Sequence, residues 1–320
     1  MHSAWREAPC PATVLTKILD GPTVAKVVGV YDGLTALVAS RYPFDALWLS
    51  GLGVSAALGL PDASIASSSD FLAAARTVCR ATHLPVVVDA DTGFGDVNTV
   101  LHVMAEYERA RVAAVCIEDK AFPKRNSFTD GQELADPAQF AATLQAASAC
   151  RGPRSPLLIA RVESLVAGAG LDDALDRATL YVRAGADAVL VHSRASEPDE
   201  VLAFGRRFRR ADRRTPLVAV PTTYPHVRQQ LLHESGYRAV IYANHLLRGF
   251  VSTADRLLEE LAGSDDAGHL ERRLEPVSAV LNLMGSDAVT AHDRTHRRRS
   301  EENRSWVQSR SKTSEMEPMP

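Results

Sequence analysis

The chain has 320 residues, 46% of them hydrophobic and 23% charged, and carries a formal net charge of -3. That balance belongs to a soluble globular protein and gives no reason to expect nucleic acid or another polyanion as a partner. No apolar run is long enough to span a membrane, Met1–Thr16 lacks a signal-peptide core, and the four cysteines (Cys10, Cys79, Cys116, Cys150) are too scattered to pair as metal ligands; a reduced, cytoplasmic setting is expected.

Residues 1–20 read as an N-terminal extension. Beyond them, short apolar runs rich in β-branched residues recur, with amphipathic stretches between them. Ala25–Val30 and Ala46–Ser50 come first, and then a predicted helix over Ser67–Thr82. Pro85–Asp89 leads to Val97–Arg111, Ala113–Glu118 to Asp136–Cys150, and Leu157–Arg161 to Leu171–Ala184. Ala188–His192 leads to Glu197–Arg210, Leu217–Pro221 to His226–Gly236, and Ala239–Tyr242 to Asn244–Leu261. Continuous apolar strands alternating with helices imply a parallel sheet covered by helices. Eight such units predict an α/β fold, a (β/α)8 TIM-type barrel over 21–262, with a doubly wound open sheet as the alternative. A helical arm is expected over 263–290, with one helix across Leu270–Met284. Residues 291–320 are rich in Arg, Ser and Glu and poor in aliphatics, which predicts a disordered tail. Its Arg297-Arg298-Arg299 run reads as a solvated charge cluster.

In a barrel the working groups sit at the carboxyl ends of strands. Asp89 and Asp91 close the third strand, and their two-residue spacing predicts both carboxylates on one face of an extended chain. Glu118 closes the fourth, and Asp62 lies in the loop after the second. Four carboxylates at one mouth repel unless a cation sits among them, and all-oxygen ligation favours Mg²⁺, with Mn²⁺ as a substitute. Taken singly, each is equally an ordinary loop residue, and Asp91 is a candidate cap for the next helix. Arg161 and His192 end the fifth and sixth strands as candidate anion contacts. Arg161 is also placed to pair with Glu163. The Ser50-Gly51 turn can present a hydroxyl and backbone N–H groups to a small carboxylate. The segment Glu118-Asp119-Lys120-Ala121-Phe122-Pro123-Lys124-Arg125-Asn126-Ser127 carries a metal-side carboxylate and then amine, amide and hydroxyl donors, which suits phosphoryl chemistry.

These motifs together resemble the phosphoenolpyruvate mutase family of the isocitrate lyase/phosphoenolpyruvate mutase superfamily. The resemblance runs from about Val30 to about Ser286. It is carried by the decapeptide above, Tyr31-Asp32-Gly33-Leu34, Trp48 to Leu52, Asp89 to Gly95, Ala160 to Glu163, Gly185 to Ser193 and Val220-Pro221-Thr222. It implies Mg²⁺ held chiefly by Asp89, with Asp62, Asp91 and Glu118 reaching it through water. Trp48, Ser50, Gly51 and Leu52 are implied to bind substrate, with Arg161 and His192 contacting its oxygens. Lys124, Asn126 and Ser127 match a mobile loop closing over the phosphoryl group, and Asp62 is implied in catalysis. Whether Asp62 takes the phosphoryl group covalently stays open. The implied reaction is the Mg-dependent interconversion of phosphoenolpyruvate and 3-phosphonopyruvate, an isomerase step opening phosphonate biosynthesis. An exchanged eighth helix, and hence a homodimer or homotetramer, is implied as well.

Phosphonopyruvate hydrolase resembles the chain in Ser193–Phe204 and Val220–Pro225. Mutases carry Asn at the position of Asn126, where the hydrolase departs from it. Carboxyphosphonoenolpyruvate mutase is a second rival. The isocitrate and methylisocitrate lyases carry a catalytic cysteine in a Lys-Arg-Cys-Gly-His type segment, where this chain reads Lys124-Arg125-Asn126-Ser127-Phe128. A metal-binding barrel without catalysis is disfavoured because the whole polar set is present.

Overall fold

A computed structural model describes residues 9–314. Its strands are β1 (Ala25–Val30), β2 (Ala46–Leu49), β3 (Val86–Asp89), β4 (Ala114–Glu118), β5 (Leu157–Val162), β6 (Ala188–Val191), β7 (Leu217–Ala219) and β8 (Tyr237–Tyr242). All eight run parallel, each pairs with the next, and β8 pairs with β1, so the sheet closes into a (β/α)8 TIM-type barrel. Residues on both faces of each strand are buried, which is why the strands read as unbroken apolar runs.

The helices are α1 (Pro11–Leu19), α2 (Gly33–Ala39), α3 (Gly51–Ala57), α4 (Ser68–Ala81), α5 (Val97–Arg109), α6 (Pro137–Ala149), α7 (Gly170–Arg183), α8 (Asp199–Ala211), α9 (Gln229–Glu234), α10 (His245–Ala262), α11 (Gly268–Glu271), α12 (Val277–Leu283) and α13 (Ser286–Ser314). Side-chain caps fix several starts: Ser67 and Asp70 form a capping box on α4, and Asp96 accepts from Thr99 N at the start of α5. The N-terminal extension is not featureless. Leu15 and Leu19 of α1, one turn apart, join the cluster of inward-facing strand residues that includes Ala25, Val27 and Ala46.

The chain divides into two compact units, Met1–Thr253 and Ala254–Pro320, so the division falls within α10 and not after it. The arm is two short helices, because Pro276 stands at the N-cap of α12 and cannot continue a helix from Leu270. The segment from 291 onward, expected to be disordered, is helical to Ser314 as part of α13. Low apolar content denies it a core, but backbone hydrogen bonds and an Arg298–Glu302 pair at 3.7 Å, one turn apart, need none. No helix among the described residues is long and apolar enough to cross a membrane.

Candidate active site

The barrel's period-two alternation locates the site. Trp48, Val87, Cys116, Ile159 and Leu190 face inward as part of the interior cluster. Counting on by two along each strand brings Ser50, Asp89, Glu118, Arg161 and His192 to the carboxyl-terminal mouth, and two more bring Glu163. With Leu52, Asp62, Lys124, Asn126, Ser127 and Phe128, all of these except Glu163 line one cleft of about 550 Å³ counted out to its open rim. Val220, Thr222, Ala243 and Asn244 complete the wall.

The loop after β4 folds over this mouth. Its base is a short antiparallel ribbon, in which Lys120 bridges Leu134 and Ala121 N donates to Glu133 O at 2.9 Å. From there Lys124 Nζ reaches Asp62 Oδ1 at 2.5 Å and Asp91 Oδ1 at 3.1 Å, and Asn126 Nδ2 donates to Asp62 Oδ2 at 2.6 Å. Two loop residues thus converge on one carboxylate some sixty positions earlier in the chain. Phe128 stands edge-on to His192, with ring centroids 6.2 Å apart.

On the opposite wall Arg161 is the hub. Its Nε donates to Glu163 Oε1, its Nη2 donates to Ser127 Oγ at 3.0 Å, and its Nη1 lies 3.4 Å from Glu118 Oε2 and 3.7 Å from Asp89 Oδ1. The predicted pairing of Arg161 with Glu163 is present, and it belongs to the site instead of competing with it. Glu163 in turn is held by Asp119, whose Oδ1 accepts its backbone N–H at 2.9 Å, while Tyr181 and Arg177 hold Asp119 Oδ2. His192 Nδ1 lies 3.1 Å from Glu163 Oε1, leaving Nε2 as the ring nitrogen for the cavity.

The electrostatics follow from burial and crowding. Burial would raise the Glu163 carboxyl, but Arg161, His192 and Lys120 outweigh it and hold the group well below the usual carboxylate range. Burial pushes Asp89 up against the pull of Arg161 and Lys124, and carries Asp91 up to about 8 despite Lys124. Burial also lowers His192, which favours a neutral ring. Five carboxylates (Asp62, Asp89, Asp91, Glu118, Glu163) face three cationic side chains (Lys120, Lys124, Arg161), an excess of two negative charges when all are ionised. Glu118 Oε1 is buried without a hydrogen-bond partner among the described residues. An oxygen-liganded divalent cation fits this donor set. No group of three or more His, Cys, Asp or Glu side chains among the described residues is placed to hold an ion by itself.

Three expectations need correction. Asp89 and Asp91 do not share a face of one extended strand: β3 ends at Asp89, and Asp91 adopts a left-handed backbone (φ 46°). That turn brings both carboxylates against Gly51, where a Cβ would lie 3.1 Å from Asp91 Oδ1 and 3.2 Å from Asp89 Oδ2. Nor does Asp91 cap the next helix, since Asp96 does. The Ser50-Gly51 turn also differs from the expectation. Ser50 Oγ accepts from Gly53 N, which leaves its O–H donor for a ligand, whereas Gly51 N–H donates to Asp89 Oδ2 at 3.3 Å and is engaged in this state. Ser50 and Leu52 still line the cleft, as does Trp48. Asn244, with a buried, unpartnered Oδ1, carries no signal beyond its place just past β8. Lys120 and Glu163 lie inside motifs already noted, and only the packing shows what they hold.

The profile of the family described as phosphoenolpyruvate phosphomutase matches residues 15–262. A phosphoenolpyruvate phosphomutase from Tetrahymena pyriformis is 34% identical over 89% of this chain and 94% of its own length. A phosphoenolpyruvate phosphomutase structure from Streptomyces platensis subsp. rosaceus superposes with a TM-score of 0.85 at 39% identity, covering 89% of this chain and 98% of that one. A phosphonopyruvate hydrolase solved in complex with oxalate and Mg++ superposes with a TM-score of 0.82 at 34% identity, covering 88% and 98%. With profile, relatives and barrel in agreement, the chain belongs to the phosphoenolpyruvate phosphomutase family of the isocitrate lyase/phosphoenolpyruvate mutase superfamily.

Proposed function

We propose that this chain is a phosphoenolpyruvate mutase that interconverts phosphoenolpyruvate and 3-phosphonopyruvate with Mg²⁺ or Mn²⁺, at the entry to phosphonate biosynthesis. The observation that carries the reading is Asn126, whose amide is brought over the cleft and onto Asp62. Overall identity does not separate mutase from hydrolase, since by sequence the mutase of Tetrahymena pyriformis stands at 34% and the hydrolase of Variovorax sp. at 36%, while among the structures the mutase stands at 39% and the hydrolase at 34%. The chemistry at position 126 supports the mutase reading. An amide there donates to phosphoryl oxygens and fills space that an attacking water needs. A lyase reading fits poorly, because none of the cysteines among the described residues lines the cleft.

In the proposed step the bond from phosphorus to the enolate oxygen breaks and a bond from phosphorus to the methylene carbon forms. The enolate becomes a ketone, and no proton is gained or lost. Such transfer depends on positioning and charge stabilisation more than on covalent help. Asp89 would hold the cation, with Asp62, Asp91 and Glu118 reaching it through water, and the bound cation would supply positive charge to stabilise the enolate and phosphoryl oxygens. Arg161 and His192 orient the substrate's oxygens from the β5–β6 side. Lys124, Asn126 and Ser127 close over the phosphoryl group and keep out water, which would otherwise take it as phosphate.

The reading extends to assembly, as a homodimer or homotetramer. Helix α10 has no buried residue and exposes Phe250, Val251, Leu258 and Leu261, which a second copy would cover. Phosphorus NMR with phosphonopyruvate as substrate tests the activity. Phosphoenolpyruvate is the expected product; inorganic phosphate and pyruvate as main products would replace the mutase reading with the hydrolase one.

A further inference from the structure

Lys120 stands apart from the groups that face the cleft. It is not in the cavity wall, yet its side chain is only 2% exposed. A lysine has three N–H donors and no acceptor, and buried donors need partners. Nζ donates to Ser127 Oγ at 2.6 Å and to Arg125 O at 3.0 Å, both in the loop over the mouth. The remaining direction faces two carboxylates at ion-pair range, Glu118 Oε1 at 3.6 Å and Glu163 Oε2 at 3.7 Å. Its backbone meanwhile sits in the ribbon at the base of the same loop, bridged to Leu134.

We infer that Lys120 is the positioning residue that seats the 121–133 loop and aims the Ser127 hydroxyl; this rests on the reading of that loop as the closure over the phosphoryl group. The valences of Ser127 Oγ support it. Its two lone pairs accept from Lys120 and from Arg161 Nη2 at 3.0 Å, so its own proton must be donated elsewhere. The nearest acceptors are the Glu163 oxygens at 3.3 and 3.4 Å, a long contact that a substrate oxygen can displace. When the loop lifts, Lys120 loses both loop acceptors, and the two glutamates beside it remain to receive its charge. The ammonium therefore has a partner in either state, and the loop competes for it with a fixed pair of carboxylates. Simple neutralisation of Glu118 and Glu163 would need neither the Arg125 carbonyl nor Ser127.

Trypsin reads the loop directly, since Lys124 and Arg125 are its cleavage residues. The full chain, its Lys120→Met and Lys120→Arg variants and Ser127→Ala are digested, and cleavage after Lys124 and Arg125 is followed by mass spectrometry. Thermal midpoints and the ratio of phosphate to phosphoenolpyruvate formed from phosphonopyruvate are measured alongside. Lys120→Met is expected to raise cleavage at the loop at least tenfold and to shift product toward free phosphate. Lys120→Arg keeps the charge but not the ammonium geometry; it should recover the midpoint while leaving the loop open. Unchanged loop cleavage in a folded Lys120→Met protein overturns the inference, as does full rescue of cleavage and product ratio by Lys120→Arg. Should Lys120→Met not fold, Ser127→Ala decides: a severalfold rise in loop cleavage supports the seat, and no change refutes it. Cleavage needs no turnover, so a wild type that releases mainly phosphate would sink the mutase reading and leave this result standing.

Discussion

Glu163 is the residue on which one wall of the mouth is built, and replacing it with glutamine tests that reasoning. Its carboxylate receives Arg161 and His192, contacts Ser127, and lies 3.7 Å from Lys120. Removing one partner of a buried ion pair costs about 3–5 kcal/mol, because the other charge is left without compensation. Glutamine keeps one acceptor oxygen, and Arg161 and Lys120 retain Glu118, so Glu163→Gln belongs at the lower end, about 3 kcal/mol. For a chain of this size that predicts a fall in midpoint of roughly 4–6 °C. The folded-state pKa of Glu163 lies below its ordinary 4.5, so its stabilisation is complete above that value and is lost as pH falls toward the folded pKa. The gap between wild type and variant should therefore be flat at neutral pH and narrow by about 1.4 kcal/mol per pH unit on the acid side. Urea unfolding followed by circular dichroism between pH 7 and about 3.5 measures both. A gap under about 1 kcal/mol at pH 7, or one that stays constant down to the acid end, would show that Glu163 is not held as an ion among these partners.

Asp89→Ala should abolish Mg²⁺ binding in calorimetry, while the wild type loses activity in chelator and regains it with Mg²⁺ or Mn²⁺; full activity in excess chelator contradicts the cation reading. Asn126→Ala should lower mutase turnover on the order of a hundredfold, the loss of one preorganised donor worth ~3 kcal/mol, with cation affinity retained; unchanged turnover removes Asn126 from the phosphoryl end. Ending the chain after Ala291 removes most of α13, which is largely exposed along its described length, and should leave turnover and thermal midpoint nearly unchanged. A lower midpoint would mean that the helix is covered in the working assembly.

The barrel was legible because its strands are buried on both faces. An unbroken run such as Val86–Asp89 or Ala114–Glu118 has no other home in a chain of this length, and the predicted ends fall within a few residues of the observed ones. The strand-end positions of Ser50, Asp89, Glu118, Arg161 and His192 were legible too, and the closed barrel brings them to one mouth. Contacts that depend on barrel closure were not. Asp62 meets Lys124 and Asn126 only because the loops after β2 and β4 lean over the same opening, and no local spacing encodes that approach. The left-handed turn at Asp91 lies beyond a periodicity argument, since an extended chain was the default for a two-residue spacing. The nine residues of α1 were passed over for a related reason. Leu15 and Leu19 gain their burial from a barrel floor that exists only after all eight strands close.

The charges at the mouth constrain the order in which the site can fill. With all five carboxylates ionised, an excess of two negative charges would face a substrate that on the proposed reading is itself an anion, and two unit charges about 4 Å apart repel by ~4 kcal/mol at the effective dielectric of a partly buried site. Lys124 and Arg161 cannot relieve that repulsion alone, because each already answers to two or more carboxylates. On the proposed function a divalent cation would remove the excess and so free the Lys124 ammonium and the Arg161 guanidinium for phosphoryl and carboxylate oxygens. The loop has to come last, since Lys124 and Asn126 cover the route past Asp62 once they are seated. On the proposed function, cation, then substrate, then loop is the filling order that best balances these charges, and it would keep water from the phosphoryl group while that group is between oxygen and carbon.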